Sequence, residues 1–407
     1  MNVCPTEYWI WLQTALGAGA NTADILSYFE TPERLYLAGS EEWRLSGLFT
    51  EKRIEALKSS TPSQTAAIFN ECKARGYTIL TPDNPDFPTR LKNLPDMPLV
   101  LYGLGDCSVI KDELVIGMVG TRNASRYGIE TAQKLSYRLA EAGATVVSGG
   151  ALGIDSEAHA GAMLAKGRTM AFLGCGLSCD YLKENAPLRR AITRYGALFS
   201  EYAPLSAPTR SSFPIRNRLI SGVSLGIVVI EAGVKSGSLI TASRASEQGK
   251  DIFAVPGDII RSSFDGANHL IRKGAKPVFT AEDILGEYEY KYAALYDAQK
   301  ASQPLSELDY VEYRKSKASE PVEKINEPVN VAAKPRTVAR VSINTEPPKG
   351  VSENARRVFE ALTHGEMHID DIVRATNLKM NTVLSSLTEL ELFGAVVQMA
   401  GKKYKLK

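Results

Sequence analysis

The sequence predicts an α/β fold: a Rossmann-like parallel sheet core with an N-terminal small helical domain and a C-terminal winged-helix domain. Three observations predict it. Apolar runs at Leu114–Val119, Thr169–Leu173 and Leu225–Ile230 are short and continuous, and stretches of helical length separate them. That is the pattern of strands buried on both faces of a parallel sheet. Successive core strands end in glycine turns (Gly120-Thr121-Arg122, Ser148-Gly149-Gly150 and Gly174-Cys175-Gly176), so their loops share one edge, where open α/β sheets bind ligands. Finally, a Pro-, Lys- and Glu-rich interval from about Ala301 to Gly350 gives way to three helical segments and a strand pair around Gly401.

In chain order, residues 1–62 form short helices. Gly-containing turns follow Leu16 and Leu45, the outline either of a helix-hairpin-helix whose amides can hold a phosphate or, the preferred reading, of a small packing domain. Residues 63–287 form the Rossmann-like core. It opens with a helix over Thr65–Arg75 stopped by Gly76 and strands at Tyr77–Leu80 and Leu99–Tyr102. The core strands follow at 114–119, 145–147, 169–173, 197–199, 225–231 and 251–255, with a closing helix near 266–271 and a last edge strand. Residues 288–350 are expected as a largely disordered linker. The winged helix, residues 351–407, has helices at Glu353–Leu362, Ile369–Ala375 and Met380–Phe393 and strands at Ala395–Met399 and Lys402–Leu406.

The chain has 407 residues and a net charge of +2, so any attraction to a polyanion must come from local clustering of cations. No apolar run has the length of a membrane span, and no secretory leader is visible at the amino terminus. The five cysteines are scattered, which fits a reducing cytoplasm, and Cys175 and Cys179 lack the second pair or the histidine of a zinc set. No cofactor is called for.

Chemistry concentrates between Phe213 and Pro256. There a helix, a buried strand, the Ser236-Gly237-Ser238 turn, a second helix and another strand follow one another. A helix N-terminus with small residues is an anion site, because its free N–H groups and dipole face the ligand. Arg216, Arg218, Lys235 and Lys250 surround it in sequence. Arg122 occupies a position where a dinucleotide fingerprint requires glycine, and no acidic residue follows the next strand to hold a ribose. That excludes a nicotinamide enzyme and favours an anion gripped by a side chain. Asp155 and His159, four apart on one helix face, read either as an acid/base pair or as a cap with a packed histidine.

The segments Gly120–Gly128, Ser148–His159, Phe213–Ser221, Glu231-Ala232, Ser236-Gly237-Ser238, Thr241-Ala242, Val255-Pro256-Gly257 and Gly266-Ala267-Asn268, in this order, resemble the DNA-processing protein A family, also called DprA or Smf. The resemblance implies a non-enzymatic, cytoplasmic protein that binds single-stranded DNA, dimerises through its core and helps load the RecA recombinase during recombination and natural transformation. It also implies a DNA-binding set of Arg122, Ser125, Lys183, Arg210, Phe213, Arg216, Asn217, Ser236, Gly237 and Lys250. Thr121, Leu152 and the Asp180–Lys183 stretch depart from the family pattern. Two rival readings remain. One is a nucleotide hydrolase of the lysine-decarboxylase-like Rossmann group, although Glu231 precedes the Ser236 loop where those enzymes carry their acid after it. The other is a transcription regulator acting through the winged helix, whose third helix shows Asn381, Thr382, Ser385, Ser386 and Glu389 with Lys379 as its one basic residue.

Overall fold

A computed structural model describes residues 5–181, 183–311, 347–348, 351–363, 365, 367–399 and 403–406. The chain divides into two compact units, Met1–Val331 and Ala332–Lys407.

The first unit is built on nine strands: β1 (Thr78–Leu80), β2 (Leu101–Gly105), β3 (Val115–Val119), β4 (Thr145–Ser148), β5 (Thr169–Leu173), β6 (Gly196–Ser200), β7 (Gly226–Val229), β8 (Asp251–Ala254) and β9 (Lys276–Pro277). They lie in the order β1-β2-β6-β5-β4-β3-β7-β8-β9. From β6 to β9 every pairing is parallel, while β1 and β2 run antiparallel at one side. Pleating sends alternate residues of the apolar runs to opposite faces. Ile116, Met118 and Val146 join one core cluster, and Val115, Val119 and Val147 join the other. Helices α7 (Arg126–Glu141) and α8 (Ile154–Leu164) supply residues to the first cluster. Helices α10 (Ser212–Val223) and α11 (Gly237–Glu247) supply the second.

Register aligns the strand ends. Val119 pairs with Val229, and Val229 with Ala254, so the loops after β3, β7 and β8 leave the sheet side by side. The chain winds away from β3 in both directions, toward β4 and toward β7. The space between the loops after β3 and β7 is therefore the topological switch point of the sheet.

Helices α1 (Pro5–Leu16), α2 (Ala23–Phe29), α3 (Pro32–Leu45), α4 (Glu51–Lys58) and α5 (Pro62–Ala74) cluster around Trp9, Trp11, Leu35 and Trp43. Leu99, Val100 and Tyr102 share that cluster, so the helical layer continues past residue 62 and lies on the antiparallel side of the sheet. The Gly17–Gly19 turn packs rather than offering its amides to a phosphate, in line with the packing-domain reading. Gly19 N–H donates to Glu201 Oε1 at 3.3 Å, and a Cβ at Gly19 would sit 2.7 Å from Ile215 Cγ2. At the other turn, Gly47 N–H donates to the Arg44 carbonyl.

The segment expected to begin the linker packs instead. Short helices at Glu289–Tyr292 and Ala298–Ala301 bury Tyr288, Tyr292, Tyr296 and Ala301 in the first sheet cluster. Gln133 exchanges two hydrogen bonds with the Val311 backbone, at 2.8 and 2.9 Å. The remainder of the expected linker lies outside the described residues, apart from 347–348.

In the second unit, helices Glu353–Leu362, Ile369–Thr376 and Met380–Leu392 surround a core of Val358, Phe359, Ile372, Val383 and Leu387. Asn377 takes the left-handed conformation that ends the middle helix. The strands Val396–Met399 and Lys403–Leu406 pair antiparallel, and Met367–His368 adds a short third strand. On the third helix Ser386 is buried, and Glu389 accepts from the Ser352 N–H and hydroxyl, both at 2.6 Å. That leaves Asn381 and Ser385 as its exposed polar positions among those singled out.

The N-terminal layer is tied to the core at Glu201, whose carbonyl accepts from Gln13 Nε2 and whose carboxylate accepts from Gly19 N–H. That carboxylate is held by Arg218, which is 2 % exposed. Its guanidinium pairs with Glu201 at 2.7 Å and Asp96 at 3.1 Å. Arg218→Met should strand the buried Glu201 charge and destabilise the protein by about 3–5 kcal/mol, read from denaturant unfolding followed by tryptophan fluorescence.

Candidate functional site

The switch point opens into a cleft of about 360 Å³ at the carboxyl edge of the sheet. The loop after β3 forms one wall. Gly120 is required there, because a Cβ would meet Ile154 at 2.5 Å. The loop is pinned from both sides. Thr121 N–H donates to the Glu231 carbonyl at 2.8 Å, and Ile154 N–H donates to the Thr121 carbonyl at 3.3 Å. Arg122 leaves this pinned loop with its guanidinium 5.1 Å from the Phe213 ring centre. Phe213 in turn meets Tyr181 with ring centres 5.6 Å apart. Cation, phenyl and phenol thus form one row beside the cleft, held by cation–π and ring contacts.

The opposite wall is the start of α11. Ser236 caps it, accepting from Ser238 N–H through its hydroxyl oxygen. The expectation of two open amides holds for one of them. Ser236 N–H donates to the Gly233 carbonyl at 2.9 Å, whereas Gly237 has open space where a Cβ would lie and no intramolecular acceptor for its N–H among the described residues. Ile240 and Thr241, one turn on, complete this wall. Ile240 is a cleft residue that the sequence reading passed over. Its only signal is an apolar side chain left 41 % exposed on the solvent side of an amphipathic helix.

The floor holds two buried opposite charges, Arg216 and Asp155. Arg216 lines the cleft but is 5 % exposed, and it donates to the carbonyls of Gly149, at 2.6 Å, and Phe172. Its Nε donates to Asn217 Oδ1 at 3.1 Å. Burial pushes the Arg216 guanidinium pKa down, and Asp155 pulls it back up. Asp155 accepts from Gly149 and Ala151 N–H; burial raises its pKa, and Arg216 opposes the rise. Arg216 therefore braces the glycine turn and places positive charge beneath the cleft.

Arg122, Phe213, Arg216, Asn217, Ser236 and Gly237 meet in this cleft. Four expected members stand elsewhere. Ser125 is the N-cap of α7, accepting from Gly128 N–H and donating from both its N–H and hydroxyl to Glu231 Oε2, at 2.9 and 2.8 Å. Lys183 is exposed and paired with Asp180 at 2.7 Å. Arg210 is exposed in the turn before α10 and does not line the cleft. Lys250 precedes the first residue of β8, at the amino edge of the sheet, the far end from the cleft. A residue beside a strand in sequence can belong to either edge, and strand direction decides which.

His159 is fully buried. Its Nδ1 lies 2.7 Å from Thr169 Oγ1, and burial together with the Arg216 charge pushes its pKa down to about 3. It is a neutral core histidine behind the second glycine turn. Among the described residues no cluster of His, Cys, Asp and Glu could hold a metal ion, and no helix is long and apolar enough to cross a membrane.

Residues 78–289 match the family model described as DNA recombination-mediator protein A, and residues 344–402 match a DprA winged helix domain. The chain is 31 % identical to the Smf protein of Synechocystis over 406 residues, 98 % of each chain. It is 39 % identical over 215 residues to the Bacillus subtilis DNA processing protein DprA, covering 53 % of this chain and 72 % of that protein. The X-ray structure of DNA processing protein A from Streptococcus pneumoniae superposes with a TM-score of 0.62 at 31 % identity, over 70 % of this chain and 99 % of that one.

Two measurements test the assignments of Ser125 and His159. Ser125→Ala should lower stability by about 1–2 kcal/mol, the loss of an N-cap, and leave anion affinity unchanged. For His159, the unfolded state takes up a proton near pH 6.5 that the folded state refuses until about pH 3. The wild type therefore loses stability as pH falls through that window. His159→Gln should lose less, so denaturation curves of the two proteins should converge in stability or cross between pH 6.5 and 4.

Proposed function

The chain belongs to the DNA recombination-mediator protein A family, and from that premise we propose that its sheet-edge cleft binds single-stranded DNA and that the protein hands the strand to the RecA recombinase. The observation that carries the reading is the pairing of an open helix-N-terminal amide at Gly237 with Arg122 across a cleft edged by Phe213 and Tyr181. Amides and a guanidinium suit backbone phosphates, and ring faces suit unstacked bases, which a duplex keeps hidden. Charge beneath the floor, from Arg216, adds to the attraction.

The hydrolase alternative is disfavoured by Glu231. Its carboxylate is taken by the Ser125 N–H and hydroxyl and does not line the cleft. The regulator alternative is disfavoured by the third helix of the winged unit, where Glu389 is engaged by Ser352 and Ser386 is buried. We therefore read the protein as a non-enzymatic, cytoplasmic mediator acting on incoming strands in recombination and natural transformation. Self-association through the core is part of the same reading. A groove of about 730 Å³ between α11 and α12 (Asp265–Arg272), lined by Leu239, Ile252 and Leu270 together with Lys250, Lys273 and Glu287, is the surface that favours it.

Fluorescence anisotropy with a labelled oligothymidylate of about 20 nucleotides, at several salt concentrations, tests the cleft. Single strands should bind more tightly than duplex of the same length. Arg122→Ala should weaken binding by about 1.5–3 kcal/mol. The loss should be similar for mixed sequences, and the salt slope should fall in magnitude by about 0.7, one phosphate contact on a single strand. Unchanged affinity and slope in a folded Arg122→Ala protein would remove the cleft from the interface.

A further inference from the structure

The amino edge of the sheet, opposite the cleft, holds a second concavity of about 410 Å³ between α6 (Thr89–Lys92), α10 and α11. Its cations are Arg90, Arg218, Arg244 and Lys250. Two of them are neutralised, Arg218 by Glu201 and Asp96 and Arg244 by Glu247 at 2.9 Å. Arg90 and Lys250 have no carboxylate at ion-pair distance among the described residues, although both are half-buried. Arg90 donates only to neutral acceptors: the Val223 carbonyl at 2.8 Å, the Glu113 carbonyl at 2.5 Å and the Tyr292 hydroxyl at 3.3 Å. The Lys250 ammonium has no hydrogen-bond partner among the described residues, and the neighbouring Asp251 carboxylate takes the Tyr288 hydroxyl at 2.9 Å.

Two like charges drawn out of water without a counterion are unfavourable in the free protein. The strain registers on Lys250, whose pKa burial and then the Arg90 charge push down to about 8. An anion bound between them would relieve both effects. We propose that this pocket is a second anion site, distinct from the cleft, which takes the phosphate group of a phosphorylated ligand between Arg90 and Lys250. Two uncompensated cations match a dianion better than a single carboxylate, and a guanidinium beside an ammonium is a common phosphate grip. The site is independent of the reading of the cleft, because the two share no residue and lie at opposite ends of α11.

Equilibrium dialysis of the full chain against radiolabelled inorganic phosphate at constant ionic strength tests it, with folding of each variant checked by its thermal melt. The expected result is a saturable site that Lys250→Met weakens about tenfold or more, that Lys250→Arg retains and that Arg122→Ala leaves intact. Added oligothymidylate then identifies the source. Displacement of the Lys250-dependent phosphate assigns the pocket to DNA-backbone phosphates, and its retention assigns it to a free phosphorylated small molecule. Phosphate binding that is indifferent to Lys250→Met, or absent once Arg122→Ala has removed the cleft's share, overturns the proposal.

Discussion

The Arg216 guanidinium sits under the turn after β4 and donates to the carbonyls of Gly149 and Phe172, which end two neighbouring strands. A Cβ at Gly149 would meet it at 2.6 Å, so the turn can close over the cation only because the residue is glycine. Asp155 meets the same turn from the other side through the Gly149 and Ala151 amides. Two buried opposite charges therefore fix the height of the cleft floor. The loop after β3 then rests on Ile154, and Arg122 is positioned by a loop it does not itself stabilise.

Glu231 plays the matching part on the other wall. Its carbonyl accepts from Thr121, and its carboxylate accepts from the N-cap of α7, so β7, the β3 loop and α7 meet at one residue. Three acidic or basic groups in the center of the fold, Arg216, Asp155 and Glu231, thus act on the backbone of the site. Side chains of the cleft free to meet a ligand include Arg122, Phe213 and Ile240. A charged residue in a binding motif can be there to hold the motif.

Much of this was legible in the chain itself. Strand runs such as Val115–Val119 and Gly226–Val229 are apolar at every position, which only a doubly covered parallel sheet tolerates, and their glycine ends mark the ligand edge. Arg122 in place of a fingerprint glycine pointed to the cleft correctly. What escaped was set by tertiary geometry. Ser125 looks like a ligand contact and is a cap, because its hydroxyl is already taken by Glu231, more than a hundred residues on. Lys250 is close in sequence to the anion turn but separated from it by the whole length of α11. Residues 288–311 have the composition of a linker, yet three tyrosines at 288, 292 and 296 find a core face that no local pattern announces.

The two ends of the sheet share a property with a further meaning. β1 has three residues and runs into Thr81-Pro82, and β9 has two, the second of them Pro277. Proline has no N–H to give a neighbouring strand, and strands this short offer almost no ladder. The sheet is thereby closed to growth by backbone pairing. A lasting contact with another chain across the edges of this sheet must therefore be written in side chains, and its strength can be tuned, or abolished, by single substitutions without disturbing the sheet.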